Sequence, residues 1–126
     1  MTTTLRSTAG LVPRHPVRDR AKRDQIAADL GERGWVGRPL LGVQAGEDSY
    51  VLLLTGSHRY AAATMIGLDK VPVHVMDAEE IGWTIDGEDV RDEDGQRLVD
   101  DDELLAALRR AGDETAVALM DKEGSR

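Results

Sequence analysis

Apolar residues recur along this chain with two different periods, and the changes of period mark out the elements. Val71-Pro72-Val73-His74-Val75-Met76 places a valine at every second position, which predicts a strand with Pro72, His74 and Met76 on its opposite face. Pro72 cannot donate to a ladder and favours an edge strand or a strand start. Pro39 to Ala45 and Tyr50 to Leu54 read as two more strands, joined as a hairpin through Gly46-Glu47-Asp48-Ser49. Helical spacing holds from Val17 to about Gly31, where Ile26, Ala27 and Leu30 form an apolar stripe, and Gly31 and Gly34 end it. A second helix is predicted from His58 to Ile66, with Ala61, Ala62, Met65 and Ile66 inward and Gly67 as its stop. Asp77 can cap a short helix reaching about Trp83.

The last third of the chain is more polar. Asp86-Gly87 and Asp94-Gly95 are turn dipeptides, and a small hairpin is expected around the second. Asp100 and Glu103 stand at N-cap and N3 spacing, followed by Leu104, Leu105, Leu108 and Ala111 at helical intervals. After Gly112, Asp113 can cap one more helix with Ala116, Val117 and Met120 inward. Residues 1–16, rich in Thr and Ser and holding Pro13 and Pro16, read as a flexible segment. The rest reads as one domain, 17–126, with an acidic helical extension from about residue 84. The expected class is α/β (α+β), a small mixed sheet with helices packed around it.

Composition narrows the function. The 126 residues contain no cysteine, which removes disulfides, thiolate metal sites and a cysteine nucleophile. No apolar run is long enough to span a bilayer and no signal core follows Met1, so the expected location is the cytoplasm, without membrane contact. Two Trp, two Tyr and no Phe are too few rings for a broad base-stacking platform. The net charge of −8 divides unevenly: residues 1–70 carry +3 and residues 71–126 carry −11. Arg14, His15, Arg18, Arg20, Lys22 and Arg23 form a dense basic stretch, read as a solvated helix face or as a contact for phosphates or an acidic partner. The acidic total argues against binding of duplex DNA by this chain alone.

The run Leu53-Leu54-Thr55-Gly56-Ser57-His58-Arg59 carries the candidate chemistry. An apolar strand passes through a glycine into a helix, so free N–H groups and the positive end of the helix dipole meet at one point, which suits an anion. Gly56 permits a sharp turn and close approach, and Ser57 can cap the helix or donate to a phosphate oxygen. Arg59 adds a permanent charge with forked donors, and His58 a titratable donor. The alternative is an ordinary strand-turn-helix with Ser57 as its cap.

Gly56-Ser57-His58-Arg59-Tyr60-Ala61-Ala62, then Gly67-Leu68 and Val71-Pro72-Val73, resembles the ParB/sulfiredoxin superfamily, and Gly34-Trp35-Val36-Gly37-Arg38-Pro39-Leu40-Leu41-Gly42-Val43 resembles the lead into its first core strand. The resemblance covers roughly residues 20–80. It implies that Gly56, Ser57, His58 and Arg59 contact nucleotide phosphates, with Gly37, Arg38, Pro39 and Thr55 as further nucleotide contacts, the first three near the base or sugar. The implied cofactor is a nucleotide, ATP or CTP, with magnesium as a possible bridge. Sulfiredoxins place a catalytic cysteine where this chain has Ser57, so their reductase chemistry is excluded. The helix-turn-helix domain of partition proteins has no room here. Free-serine kinases of this fold need a carboxylate base and a metal, and Glu32 is the candidate base by position.

Other constellations are weaker. The acidic run from Asp86 to Glu103 fails the spacing of a calcium loop and reads as a solvated turn and a capped helix. His15, His58 and His74 lack metal-site spacing, and Trp35 and Trp83 read as packing residues. Three functions remain open: a nucleotide-dependent switch acting on a partner, a small-molecule kinase or nucleotide hydrolase or nuclease, and an interaction module working through the acidic C-terminal half.

Overall fold

The structure, a computed structural model, describes residues 3–14, 17–35, 37–46 and 48–124; His15, Pro16, Val36 and Glu47, which entered the expectations above, lie outside the described residues. In chain order the first elements are β1 (Thr3–Ser7), β2 (Leu11–Pro13), α1 (Arg20–Arg33), β3 (Leu40–Gln44), β4 (Val51–Leu53) and α2 (Ser57–Met65). There follow β5 (Lys70–Asp77), α3 (Ala78–Ile81), β6 (Thr84–Asp86), β7 (Asp89–Arg91), α4 (Asp101–Ala111) and α5 (Glu114–Gly124).

Five strands make one mixed sheet in the order β1-β5-β3-β4-β2. The expected hairpin is present, with β3 antiparallel to β4 and Gly42 opposite Leu53. β5 runs parallel to β3 on its other side, Leu40 facing Val73 and Gln44 facing Asp77.

Alternation along these strands builds two cores. Leu40, Val51, Leu53, Val71 and Val73 face one side, where Ala27 and Leu30 of α1 and Ala62 and Ala63 of α2 cover them. Leu41, Val43, Leu52, Leu54 and Met76 face the other, covered by Leu104 and Leu108 of α4 and Ala116, Leu119 and Met120 of α5. The sheet is therefore the middle of three layers, and the acidic C-terminal helices form the third rather than an appendage. Their exposed faces carry the charge that made the region read as an extension. In α2 the buried residues are Ala62 and Ala63; Met65 and Ile66, expected inside, are exposed because α1 packs one residue further round the helix.

The N-terminal segment departs most from expectation. β1 pairs with β5, and β2 lies parallel to β4, so residues 3–13 supply both edges of the sheet. The Tyr60 hydroxyl, 3.2 Å from Thr8 O and 3.3 Å from Leu11 O, ties the intervening turn to α2. Pro72 consequently sits in a strand flanked on both sides, opposite Leu5, rather than at an edge. In the C-terminal third the two-stranded ladder turns at Asp86-Gly87, where β6 meets β7, and Asp94-Gly95 closes a second tight turn with a single bridge from Arg91 to Arg97.

Two polar ties join the layers. Arg14, grouped above with a solvated face, is buried: its guanidinium donates to Val99 O and to Asp101 Oδ1, each at 3.1 Å, linking the end of β2 to the start of α4. Burial pushes its pKa below the ordinary value, with Asp101 opposing the shift. His74 is 3% exposed on the sheet face opposite Val71 and Val73, and its Nε2 lies 3.0 Å from Asp113 Oδ2. The other carboxylate oxygen of Asp113 accepts from Ala116 N and so caps α5 as expected.

Burial alone would raise the Asp113 pKa, but the bonds from His74 and Ala116 and the His74 charge together hold it below the usual aspartate value. A carboxyl depressed by folding contributes stability that is present above its unfolded pKa, about 3.9, and is lost as pH falls through the lower folded value. Asp113→Ala is accordingly expected to lower the unfolding free energy at neutral pH by about 1–3 kcal/mol. Denaturant titrations of both proteins from pH 7 to pH 2 should show the difference shrinking below pH ~4.

Candidate functional site

Among the described residues, four helices begin on an aspartate. Asp19 accepts from Lys22 N at α1, Asp77 from Glu79 N at α3, Asp100 from Glu103 N at α4 and Asp113 from Ala116 N at α5. α2 begins differently. Its N-cap is Gly56, in the left-handed region at φ 75°, and no side chain caps the helix. Ser57, a candidate cap by sequence, is instead the first helical residue. The local reason is steric. The chain leaves the sheet through buried Leu54 and Thr55 and must swing at once into α2, and a Cβ on residue 56 would run into Leu40 Cδ2.

The remaining predicted residues divide between this turn and its supports. His58 Nε2 accepts from Asp19 N at 3.1 Å, so the starts of α1 and α2 touch; a ring accepting at Nε2 is neutral and presents Nδ1–H as a donor. Arg18, Arg20 and Lys22 lie exposed at the same end of α1, which keeps that part of the basic stretch beside the turn. The Arg59 guanidinium folds back: Nη1 donates to Arg38 O at 2.6 Å, Nη2 to Pro39 O at 3.5 Å, and its carbon lies 5.1 Å from the centroid of Trp35. Trp35 Nε1 donates to the same Arg38 carbonyl at 3.2 Å. Arg38 and Pro39 are thus held against α2 through their carbonyls, while Gly37, at φ 95°, makes the bend before them. Thr55 is buried and its Oγ1 accepts from Leu41 N, a link between strands.

Beside Arg59 lies an open cleft of about 160 Å³, floored by Ile26 and Leu30, walled by Trp35 and rimmed by Asp29 and Arg33. Glu32 is exposed on α1 and does not line it; the carboxylate at this cleft is Asp29. Residues 26, 29, 30 and 33 share one helix face at i, i+3, i+4 and i+7, a spacing present in the sequence, but what that face meets depends on how α1 packs. Elsewhere, Asp92, Glu93 and Asp94 bring carboxylate oxygens within 4.8 Å of one another. Asp92 is buried rather than solvated, and its oxygens accept from Asp94 N and Gln96 N and pair with Arg110, which accounts for it as the organiser of its turn. Trp83 is in the core, as expected.

No protein-family model matches the sequence, and no curated protein matches it either. Solved structures do. Sulfiredoxin from Arabidopsis thaliana is 16% identical, with a TM-score of 0.52 over 61% of this chain and 86% of its own. The chromosome-partitioning protein ParB from Caulobacter crescentus, C-terminally truncated and in complex with CTP-gamma-S, is 22% identical, with a TM-score of 0.51 over 61% of this chain and 45% of its own.

The chain has the ParB/sulfiredoxin-like fold.

A free serine kinase mutant in complex with ADP shares it at 15% identity and a TM-score of 0.54, over 67% of this chain and 35% of the kinase. The chain thus spans less than half the length of both the partition protein and the kinase it matches. Structural neighbours within this fold bind nucleotides. Among the described residues no helix is long and apolar enough to cross a membrane.

The turn makes a sharp stability prediction. Gly56→Ala must adopt a left-handed backbone and displace Leu40, so it is expected to lower the unfolding free energy by at least about 1–2 kcal/mol. Gly67→Ala, also at positive φ but with open space around its Cβ, should lose less in the same urea titration.

Proposed function

We propose that this protein is a nucleotide-binding module that holds the di- or triphosphate of its ligand on the amino terminus of α2. The observation that carries the reading is the missing cap: where four helices start on a carboxylate, α2 starts on Gly56-Ser57-His58-Arg59 and leaves its positive end for an anion. Support comes from neighbours of the same fold, one in complex with CTP-gamma-S and one with ADP. Ser57 and His58 supply hydroxyl and Nδ1–H donors beside the helix amides, and Arg18, Arg20 and Lys22 add positive charge at the adjoining end of α1. Magnesium would bridge phosphate oxygens, as it commonly does when held by few protein ligands.

Arg59 gives the module its switch. In the structure its guanidinium binds the Arg38 and Pro39 carbonyls and the Trp35 ring. A phosphate at the head of α2 competes for those donors, so occupancy is coupled to the segment between α1 and β3. A partner that reads that segment, or the acidic face of α4, then senses the ligand.

Thermal unfolding with ATP, CTP, GTP and ADP, each with magnesium, tests the reading. One of them is expected to raise stability by about 2.7 kcal/mol at a hundredfold excess over its Kd. Ser57→Asp supplies the missing negative charge in the first turn. It should stabilise the free protein by about 0.3–1 kcal/mol and abolish the gain from nucleotide. Absence of any gain in the wild-type protein with all four nucleotides would overturn the proposal.

A further inference from the structure

We infer that the free edge of β1 is a self-association surface, on which a second copy of this chain pairs its own β1 antiparallel about a two-fold axis at Leu5. β1 and β2 are the two edge strands of the sheet, and they differ in how they are protected. β2 is three residues long, contains Pro13 and runs at once into buried Arg14. Shortness and proline both blunt an edge against further pairing. β1 has five residues, Thr3 to Ser7, with no proline or lysine and no bulge in its register. Leu5 on one face and Thr4 on the other are exposed, so neither helical layer reaches over this edge. At 67%, Leu5 is the most exposed large apolar side chain among the described residues.

The phase of the β1–β5 ladder fixes which backbone groups point outward. Thr8 N donates to Asp69 O at 2.9 Å, one step beyond the Ser7–Lys70 pair of the register. Bonded and non-bonded pairs alternate in an antiparallel ladder, so Thr4 and Arg6 turn their amides and carbonyls toward β5. Thr3, Leu5 and Ser7 turn theirs away. Pro72, which has no N–H to give, is the residue opposite Leu5, as this phase requires. An axis at Leu5 engages all three outward residues: Leu5 meets its own copy, and Thr3 meets Ser7 on either side, each pair exchanging both hydrogen bonds. The side chains suit the same placement. Leu5 shares a sheet face with Pro72, so the two copies join these residues into one apolar strip. Arg6, the charged residue of β1, falls opposite Thr4 of the second copy rather than another arginine, and its Nε already donates to Thr4 Oγ1 of its own strand at 3.0 Å. A strand of another protein would gain the backbone bonds alone. The exposed leucine at the middle of the outward-facing residues favours the strand's own copy, which meets it with a second leucine.

One strand pair makes a small interface of the transient class. Sedimentation equilibrium of the full chain, at ~0.15 M salt to screen the two acidic molecules, should show a reversible dimer with a Kd of about 10–100 μM. Leu5→Lys sets like charges face to face across the axis at a position that is exposed in the monomer. It should raise the Kd about tenfold or more and leave thermal unfolding of the dilute protein unchanged. Because the chain has no cysteine, single substitutions then report the register. Leu5→Cys should give a disulfide-linked dimer in a glutathione buffer, since bonded pairs stand ~5.5 Å apart at Cα, within disulfide reach. Thr3→Cys alone should not, its two copies lying ~14 Å apart, but mixed with Ser7→Cys it should cross-link. A wild-type protein that stays monomeric at ~1 mM overturns the inference. So does a dimer that Leu5→Lys leaves intact, or one in which Thr3→Cys alone cross-links as readily as Leu5→Cys. None of these readouts involves a nucleotide, so the phosphate reading stands or falls separately.

Discussion

The third and fourth strands are dry on both faces, and most of the molecule follows from that burial. Leu40, Leu41, Val43, Leu52 and Leu53 are almost wholly inaccessible, alternating between two cores that need separate covers. A strand buried on both sides cannot satisfy its apolar surface with one helical layer, so α1 and α2 must take one face and α4 and α5 the other. Gly42 shows how tight the arrangement is. A Cβ there would stand 2.5 Å from Val51 Cγ1, so β3 needs glycine where its neighbours close over it.

The candidate site is a consequence of how the chain leaves that central pair. Leaving β4 into a helix on one face needs a reversal within Thr55-Gly56, and its left-handed φ of 75°, with Leu40 packed against the turn, favours glycine there. The turn thus leaves α2 starting on a residue with no side chain to cap it, beside a leucine that belongs to the core. An uncapped helix end next to a basic helix start concentrates positive potential at one point, and the proposed phosphate site rests on that. On the proposed reading, stability and ligand capacity are opposed at this point, whereas at the four other helix starts an aspartate caps the free amides.

The polar contacts buried between layers have a different role from those at the turn. Arg14 with Asp101, and His74 with Asp113, connect the sheet to α4 and α5, and in each pair the arginine or histidine is more buried than its partner. They orient helices that apolar packing alone would leave free to slide, because Leu, Ala and Met surfaces offer little directional information. Asp113 does two jobs, one oxygen capping α5 and the other bonded to His74, whereas at α4 they are divided between Asp100, the cap, and Asp101, the partner of Arg14.

The features legible from the sequence were local ones. The valine period of β5, the β3–β4 hairpin, the aspartate caps at residues 77, 100 and 113, and the Gly56 turn each depend on residues within a few positions of one another. Such patterns express backbone preference and periodicity, which neighbours in the chain suffice to determine. Tertiary structure decided the rest. Residues 3–7 become a strand only because β5 offers them an unpaired edge, and their own exposed, threonine-rich pattern carries no burial signal. Arg14 looks like any surface arginine until α4 closes over it, and Glu32 and Asp29 are equivalent acidic residues on one helix until packing puts Asp29, and not Glu32, on the rim of a cleft. What a side chain faces depends on which distant surfaces meet, and the chain does not encode that meeting at the residue itself.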